Sequence, residues 1–340
     1  GSGFDNVSKL YYREGRGQDW RLVNDYARSG VVVSALGFSK DGKTAYLRSE
    51  MPGGPDAILA YDPFADTRVP LIRDPVSDPL AIIDQLDSLE PAGAWFMGDA
   101  IRSRFFDEAS KTARLYRSLE KAFPGHAVAV TSTTRDGKLA LLKVWSDRNN
   151  GDFYLFDTVA KHADLLYSRR EWFLPVNVPS SRAIQVQASD GMTLHGYLTL
   201  PLEKDKPLPM VVLPHGGPFD VFDRWEFDDD AQMLAEAGYA VLRLNFRGSG
   251  NYGRDYLHAG AREWGKRMQD DLADATRWAI AQQIADPSRI CIYGASYGGY
   301  AALMGVAKEA ALYKCAVGYV GVYDLEKMHR DDARYSRSWK

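Results

Sequence analysis

A serine with a glycine two positions to either side gives this chain its clearest capacity for covalent chemistry: Gly294-Ala295-Ser296-Tyr297-Gly298. The pattern G-x-S-x-G sets a hydroxyl on a sharp turn between a strand and a helix. Such a turn strains the backbone and brings neighbouring chain close, and glycines permit both. Its Oγ is exposed at a helix N-terminus, where free N–H groups and the dipole favour developing negative charge. The chemistry is acyl transfer through a nucleophilic serine. Five such residues recur by chance, so the context decides: Arg289–Tyr293 is rich in β-formers, and Tyr300–Val306 continues as a small-residue helical run.

A second pattern supports the first. His215-Gly216-Gly217-Pro218 directly follows the apolar run Pro209–Leu213. A G-x-S-x-G hydrolase takes one oxyanion N–H from the residue after the serine, here Tyr297, and another from the loop after its third strand. His-Gly-Gly-Pro occupies that place, which makes the Gly217 N–H the second candidate donor. The plainer reading, a Gly-Gly-Pro turn and nothing more, is weakened by finding both motifs in the right order. His215 precedes the serine and lies in this loop, so it reads as a structural hydrogen-bonding residue and not as the base.

The elements that must position these residues alternate. Ala183–Ser189 and Thr193–Leu200 read as a hairpin turned by Asp190-Gly191. Pro209–Leu213, Tyr239–Phe246, Arg289–Tyr293 and Lys314–Val320 read as buried strands, with helices over Asp228–Ala237 and Met268–Gln283. This alternation implies a mostly parallel sheet covered on both faces, with the serine at its carboxyl edge. Asp228-Asp229-Asp230 reads as acid at a helix N-terminus and not as a metal site.

The first half reads as a repeat array without a long amphipathic helix. Phe38–Leu47 resembles Thr133–Leu142, and their Asp41-Gly42 and Asp136-Gly137 pairs, 95 residues apart, are hairpin signals. Tyr61-Asp62, Phe106-Asp107 and Phe156-Asp157 end strands at intervals of 45 and 50 residues. Both markers point to the size of a four-stranded propeller blade, favoured over a β-sandwich with similar hairpins. Consecutive four-stranded blades are expected, with the Asp-Gly turns two blades apart and no helix between them. The reading is thus a partial all-β propeller of three to four blades over 1–178, with more blades upstream. An α/β-hydrolase domain over 179–340 follows, running through the strand after the nucleophile elbow and lacking its C-terminal part.

Composition bounds the partners. The 340 residues are 45% hydrophobic and 26% charged, with a net charge of -3. Neither a nucleic-acid nor a membrane partner is indicated, and no apolar run approaches the ~20 residues of a span. Cys291 and Cys315 read as buried free thiols in core strands; no metal or other cofactor is expected. So few cysteines fit the cytoplasm, although a periplasmic enzyme would look the same. The Gly1-Ser2-Gly3 start reads as an internal start or a tag scar, so it carries no targeting information.

These motifs together resemble the prolyl oligopeptidase family of serine peptidases, in its acylaminoacyl-peptidase and dipeptidyl-aminopeptidase branch. The resemblance rests on Ala188–Leu198, His215–Pro218, Asn245–Gly253, Trp264-Gly265, Asp286–Arg289 and Gly294–Tyr300. It implies that Ser296 forms an acyl-enzyme, that Gly217 and Tyr297 supply the oxyanion donors, and that Asn245–Gly253 lies near the active-site entrance. A propeller before the hydrolase would restrict substrates to short peptides. An esterase on the same core, or a non-catalytic propeller binding module, are the alternatives. One departure is large. The triad order is Ser, then Asp or Glu, then His, yet the only histidine after Ser296 is His329. It lies in a charged segment with Asp331 and Asp332, in the wrong element for the base. His126, His162, His195 and His258 have no triad context. The acid and base are therefore expected on a C-terminal remainder of the same enzyme, and the 340 residues alone should be a poor hydrolase.

Overall fold

The computed structural model describes residues 7–170, 178–202 and 207–335; the Gly-Ser-Gly start lies outside them. A ribbon of β1 (Lys9–Tyr12) and β2 (Arg21–Asp25) leads through the one-turn helix α1 (Tyr26–Ser29) into three antiparallel sheets. The first holds β3 (Val33–Phe38), β4 (Ala45–Met51), β5 (Gly54–Asp62) and β6 (Thr67–Arg73). The second holds β7 (Pro79–Asp84), β8 (Pro91–Met97) and β9 (Ile101–Phe105). Helix α2 (Lys111–Ala122) precedes the third, formed by β10 (Ala127–Thr133), β11 (Leu139–Trp145), β12 (Asp152–Asp157) and β13 (His162–Ser168). Every strand in these sheets pairs with its neighbours in the chain.

The matching sequence segments fold alike. Asp41-Gly42 joins β3 to β4 and Asp136-Gly137 joins β10 to β11, in separate sheets. In each, the aspartate accepts hydrogen bonds from the hydroxyl two residues before it and from the N–H two residues after it, all at 2.7–3.1 Å. Asp62 and Asp157 likewise each accept two backbone N–H groups just past their strands. These are Asx turns, which explains why an aspartate recurs at those positions.

Two expectations are corrected here. The helix α2 is 12 residues long and lies between the two Asp-Gly turns. It stands where the flanking sheets have a fourth strand, so the units are not uniformly four-stranded. Ser110 caps it by accepting from the Ala113 N–H, and Ala113, Tyr116 and Leu119 are buried along one face. The cysteines are also not free thiols. Cys291 and Cys315 are register partners on adjacent parallel strands, their Cα atoms 4.7 Å apart, and they form a disulfide. Cys315 is exposed and Cys291 half-buried. With the thiols paired, the cysteine count no longer argues for a reducing compartment.

The second half is one mixed sheet of six strands. Its members are β14 (Ser181–Gln187), β15 (Thr193–Thr199), β16 (Leu208–Val212), β17 (Ala240–Asn245), β18 (Ala285–Ala295) and β19 (Cys315–Tyr319), in the spatial order β14-β15-β17-β16-β18-β19. The first two join antiparallel, as the Asp190-Gly191 hairpin predicts, and the other four run parallel. Every residue of β17 is buried, as expected of a strand covered on both faces. Helices α3 (Asp229–Glu236), α4 (Arg254–His258), α5 (Arg267–Ala281), α6 (Tyr297–Lys308) and α7 (Leu325–Tyr335) complete it. Asp228 caps α3 through the Ala231 N–H. The halves share a core: Trp95, Met97 and Tyr116 cluster with Tyr197 and Trp225. Among the described residues, no helix is long and apolar enough to cross a membrane.

Candidate active site

β18 runs to Ala295 and α6 begins at Tyr297, so Ser296 alone makes the turn between them. It pays in backbone strain, with φ 57° and ψ −121°, a region that residues with a Cβ rarely adopt. Several bonds hold it there. Its N–H donates to the Tyr319 carbonyl at 3.0 Å, and its own carbonyl accepts from Gly299 and Tyr300. The side chain is exposed, and no hydrogen bond caps the helix through its Oγ.

The glycine at 298 is required by close approach. A Cβ there would lie 2.2 Å from the Pro214 carbonyl oxygen. The helix start is thereby pressed against the loop leaving β16, which is the His215-Gly216-Gly217-Pro218 segment. A Cβ on Gly216 would be 3.5 Å from the Ser296 Cβ, so this loop passes beside the serine. Tyr297, the first residue of α6, has no intrahelical acceptor for its N–H. Its side chain is fully buried against Phe246, Trp264 and Tyr300, and burial raises its phenol well above the usual value.

His215 is committed on both sides of its ring. Its Nδ1 donates to the Gly216 carbonyl at 2.7 Å, and its Nε2 is 2.9 Å from the Ser249 Oγ. The Ser249 hydroxyl donates to the Phe246 carbonyl at 2.6 Å, and the His215 ring stacks on Phe246. The Gly216 carbonyl and the Gly217 N–H belong to one planar peptide and point oppositely. Holding the carbonyl toward the imidazole therefore turns the Gly217 N–H away from it.

The segment Asn245–Gly253 is buried behind this loop. Asn245, Arg247, Ser249 and Asn251 are each at most 6% exposed. Arg247 grips Asp271 of α5 through Nη2 at 2.6 Å and Asp190 of the β14–β15 turn through Nη1 at 2.9 Å. Burial raises the Asp271 carboxyl, whereas the bond to Arg247 lowers that of Asp190. Asp271 lies early in α5 and far in the chain from Arg247, so no motif pairs them; an arginine inside a glycine-rich apolar segment is the local sign that a buried carboxylate is needed.

The remaining histidines are dispersed. His329 is exposed on α7, and Asp331 pairs there with Lys327. His162 pairs with Asp164 on the surface of β13. His195 stacks on Tyr252 at 4.3 Å, and burial pushes its imidazole down to about 4.

Meander sheets followed by a six-stranded sheet with an elbow serine define a propeller-plus-α/β-hydrolase protein, and comparison with known proteins agrees. Residues 225–340 match the model of the prolyl oligopeptidase family. Over 328 residues the chain is 30% identical to dipeptidyl aminopeptidase BIII of Pseudoxanthomonas mexicana, covering 93% of this chain and 47% of that protein. It is 30% identical over 122 residues to the acylamino-acid-releasing enzyme of Homo sapiens, covering 36% of this chain and 16% of that one. A puromycin-hydrolyzing peptidase of Mycobacterium tuberculosis superposes with a TM-score of 0.67 at 20% identity, over 94% of this chain and 49% of that structure. By the match to its model, residues 225–340 belong to the prolyl oligopeptidase family. The chain spans about half the length of the bacterial aminopeptidase and of the puromycin-hydrolyzing peptidase.

Proposed function

We propose that these residues belong to a serine peptidase that cleaves short peptides through an acyl-enzyme on Ser296. The observation that carries this is the strained serine between β18 and α6, set beside the Pro214–Gly217 loop. In the proposed reaction the Ser296 Oγ attacks the scissile carbonyl carbon while an imidazole takes its proton. The Gly217 and Tyr297 N–H groups hold the resulting oxyanion. Collapse expels the amine, which receives that proton, and water then hydrolyses the ester by the same route. Residues 1–178 form a partial propeller of three to four blades in this reading, and residues 179–340 form the hydrolase domain through the strand after the elbow. The named relatives, an aminopeptidase and an acylamino-acid-releasing enzyme, support peptide substrates over simple esters.

The triad acid and base are proposed to lie on a further segment packed along β19. The support is a surface: Val317 and Tyr319 of β19, with Val320 and Tyr323 just beyond, are each more than half exposed. The test is covalent labelling of the full-length protein with a fluorophosphonate probe. Wild type should label at Ser296, and Ser296→Ala should not. Equal labelling of the two proteins would overturn the assignment.

A further inference from the structure

One residue of the propeller half reaches the loop behind the candidate oxyanion donors. Asp78, just before β7, is 8% exposed. Its carboxylate accepts the N–H of Asp56 at 2.7 Å and that of Gly253 at 3.2 Å. Its own N–H donates to the Asn251 carbonyl at 2.7 Å. Asp78 therefore holds both ends of the tripeptide Asn251–Gly253. The joint is tight, because a Cβ on Gly253 (φ +82°) would lie 2.2 Å from the Gly54 carbonyl oxygen.

From that tripeptide the contacts run without a gap to Gly217. The Gly250 N–H donates to the Val221 carbonyl at 3.2 Å, and a Cβ on Gly250 would lie 2.8 Å from the Asp220 Oδ1. Ser249 engages the His215 Nε2, and the His215 Nδ1 holds the Gly216 carbonyl. Asn251–Gly253 is thus pinned to the propeller half, while the residues immediately before it press on the segment His215–Val221. A joint that served only to hold the halves together could be made with neutral side chains. Here it uses a buried carboxylate, whose pKa is raised by that burial and by the neighbouring Asp56 charge, with the Arg48 Nη2 at 3.6 Å as a partial counter-charge.

We propose that Asp78 is a positioning residue for the oxyanion loop, fixing the Gly216–Gly217 peptide from the propeller half through Asn251–Gly253, Ser249 and His215. The proposal rests on the serine-peptidase reading for its catalytic meaning, but not for the mechanical coupling.

The test uses the full-length protein as wild type, Asp78→Ala and Asp78→Asn. Hydrogen exchange is followed in peptides covering 214–221 and 249–253, beside kcat, KM and the rate of fluorophosphonate acylation. Asp78→Ala should speed exchange in both segments while α5 keeps its protection. It should lower kcat and acylation about 10-fold, with KM within about twofold, because sub-ångström misplacement of a donor acts on the transition state. Asp78→Asn keeps one acceptor oxygen and should recover part of both effects. Should the alanine variant not fold, the asparagine variant decides alone, with an intermediate loosening of both segments expected. Unchanged exchange in 214–221, or a rise in KM with kcat intact, overturns the proposal. A wild type that fails to label at Ser296 would sink the peptidase reading, and the exchange measurements would still decide the coupling.

Discussion

His195 shows how one half-buried side chain makes the stability of the fold depend on pH. Its imidazole is stacked on Tyr252, and burial holds it near 4, against an ordinary value of 6.5. The folded state therefore binds the proton less readily than the unfolded state. The stability it confers is complete above about pH 6.5 and is lost as pH falls from 6.5 towards 4. The limit is on the order of 3 kcal/mol. Denaturant unfolding at pH 7 and pH 4.5 should show that loss in wild type and a smaller one in His195→Phe, which keeps the ring stack without the charge. Equal pH dependence in the two proteins would contradict the account. At this scale the sequence was legible where chemistry is local. The strand–helix turn at Ser296 and the nearby Pro214–Gly217 loop could be located from motif spacing, because G-x-S-x-G and His-Gly-Gly-Pro each specify their own turn; Ser296, Tyr297 and Gly217 remain the proposed nucleophile and oxyanion donors. The Arg247–Asp271–Asp190 network joins residues far apart in the chain, and no local spacing announces it.

At the scale of elements, α2 is the instructive case. Its apolar positions Ala113, Tyr116 and Leu119 recur at helical spacing, and Ser110 stands at the cap. The surrounding hairpin signals encouraged a strand-only reading of this stretch, and a 12-residue helix is short enough to be hidden by them. Ser110→Ala removes the acceptor for the Ala113 N–H and should cost about 1 kcal/mol of stability. The loss should appear as a lowered thermal midpoint, and an unchanged midpoint would mean the cap contributes nothing. By contrast, β16 and β17 were readable within a few residues, because strands buried on both faces are continuous apolar runs; β19 was located by the same apolar run, but it is an edge strand with its side chains exposed and not the buried strand expected. The Cys291–Cys315 bond was missed because it depends on which strands are neighbours. Only the order β16-β18-β19 puts those two positions in register.

At the scale of the whole molecule, the apolar edge at β19 is the dominant feature. Val317 is 53%, Tyr319 61% and Val320 70% exposed. A contiguous apolar surface beside a strand edge is a site for further association. The 340-residue chain alone should bind a hydrophobic dye strongly and turn over an acylaminoacyl anilide poorly. A longer version with a C-terminal continuation should bind less dye and show turnover at least 10³-fold higher, the scale of losing a triad member. Full turnover by the 340-residue chain would return His329, or another histidine, to consideration as the base.

The strand order β15-β17-β16 also bears on synthesis at the ribosome. β15 leaves the tunnel before β16 and β17, but its neighbour on the side away from β14 is β17 and not β16, so roughly 40 residues must follow before that edge can close. At ~5–20 residues per second, translation leaves it open for roughly 2–8 s. The meander sheets upstream face no such delay, since each of their strands pairs with the next to emerge. A nascent chain stalled after β16 should therefore carry finished sheets ahead of a hairpin still open to chaperones.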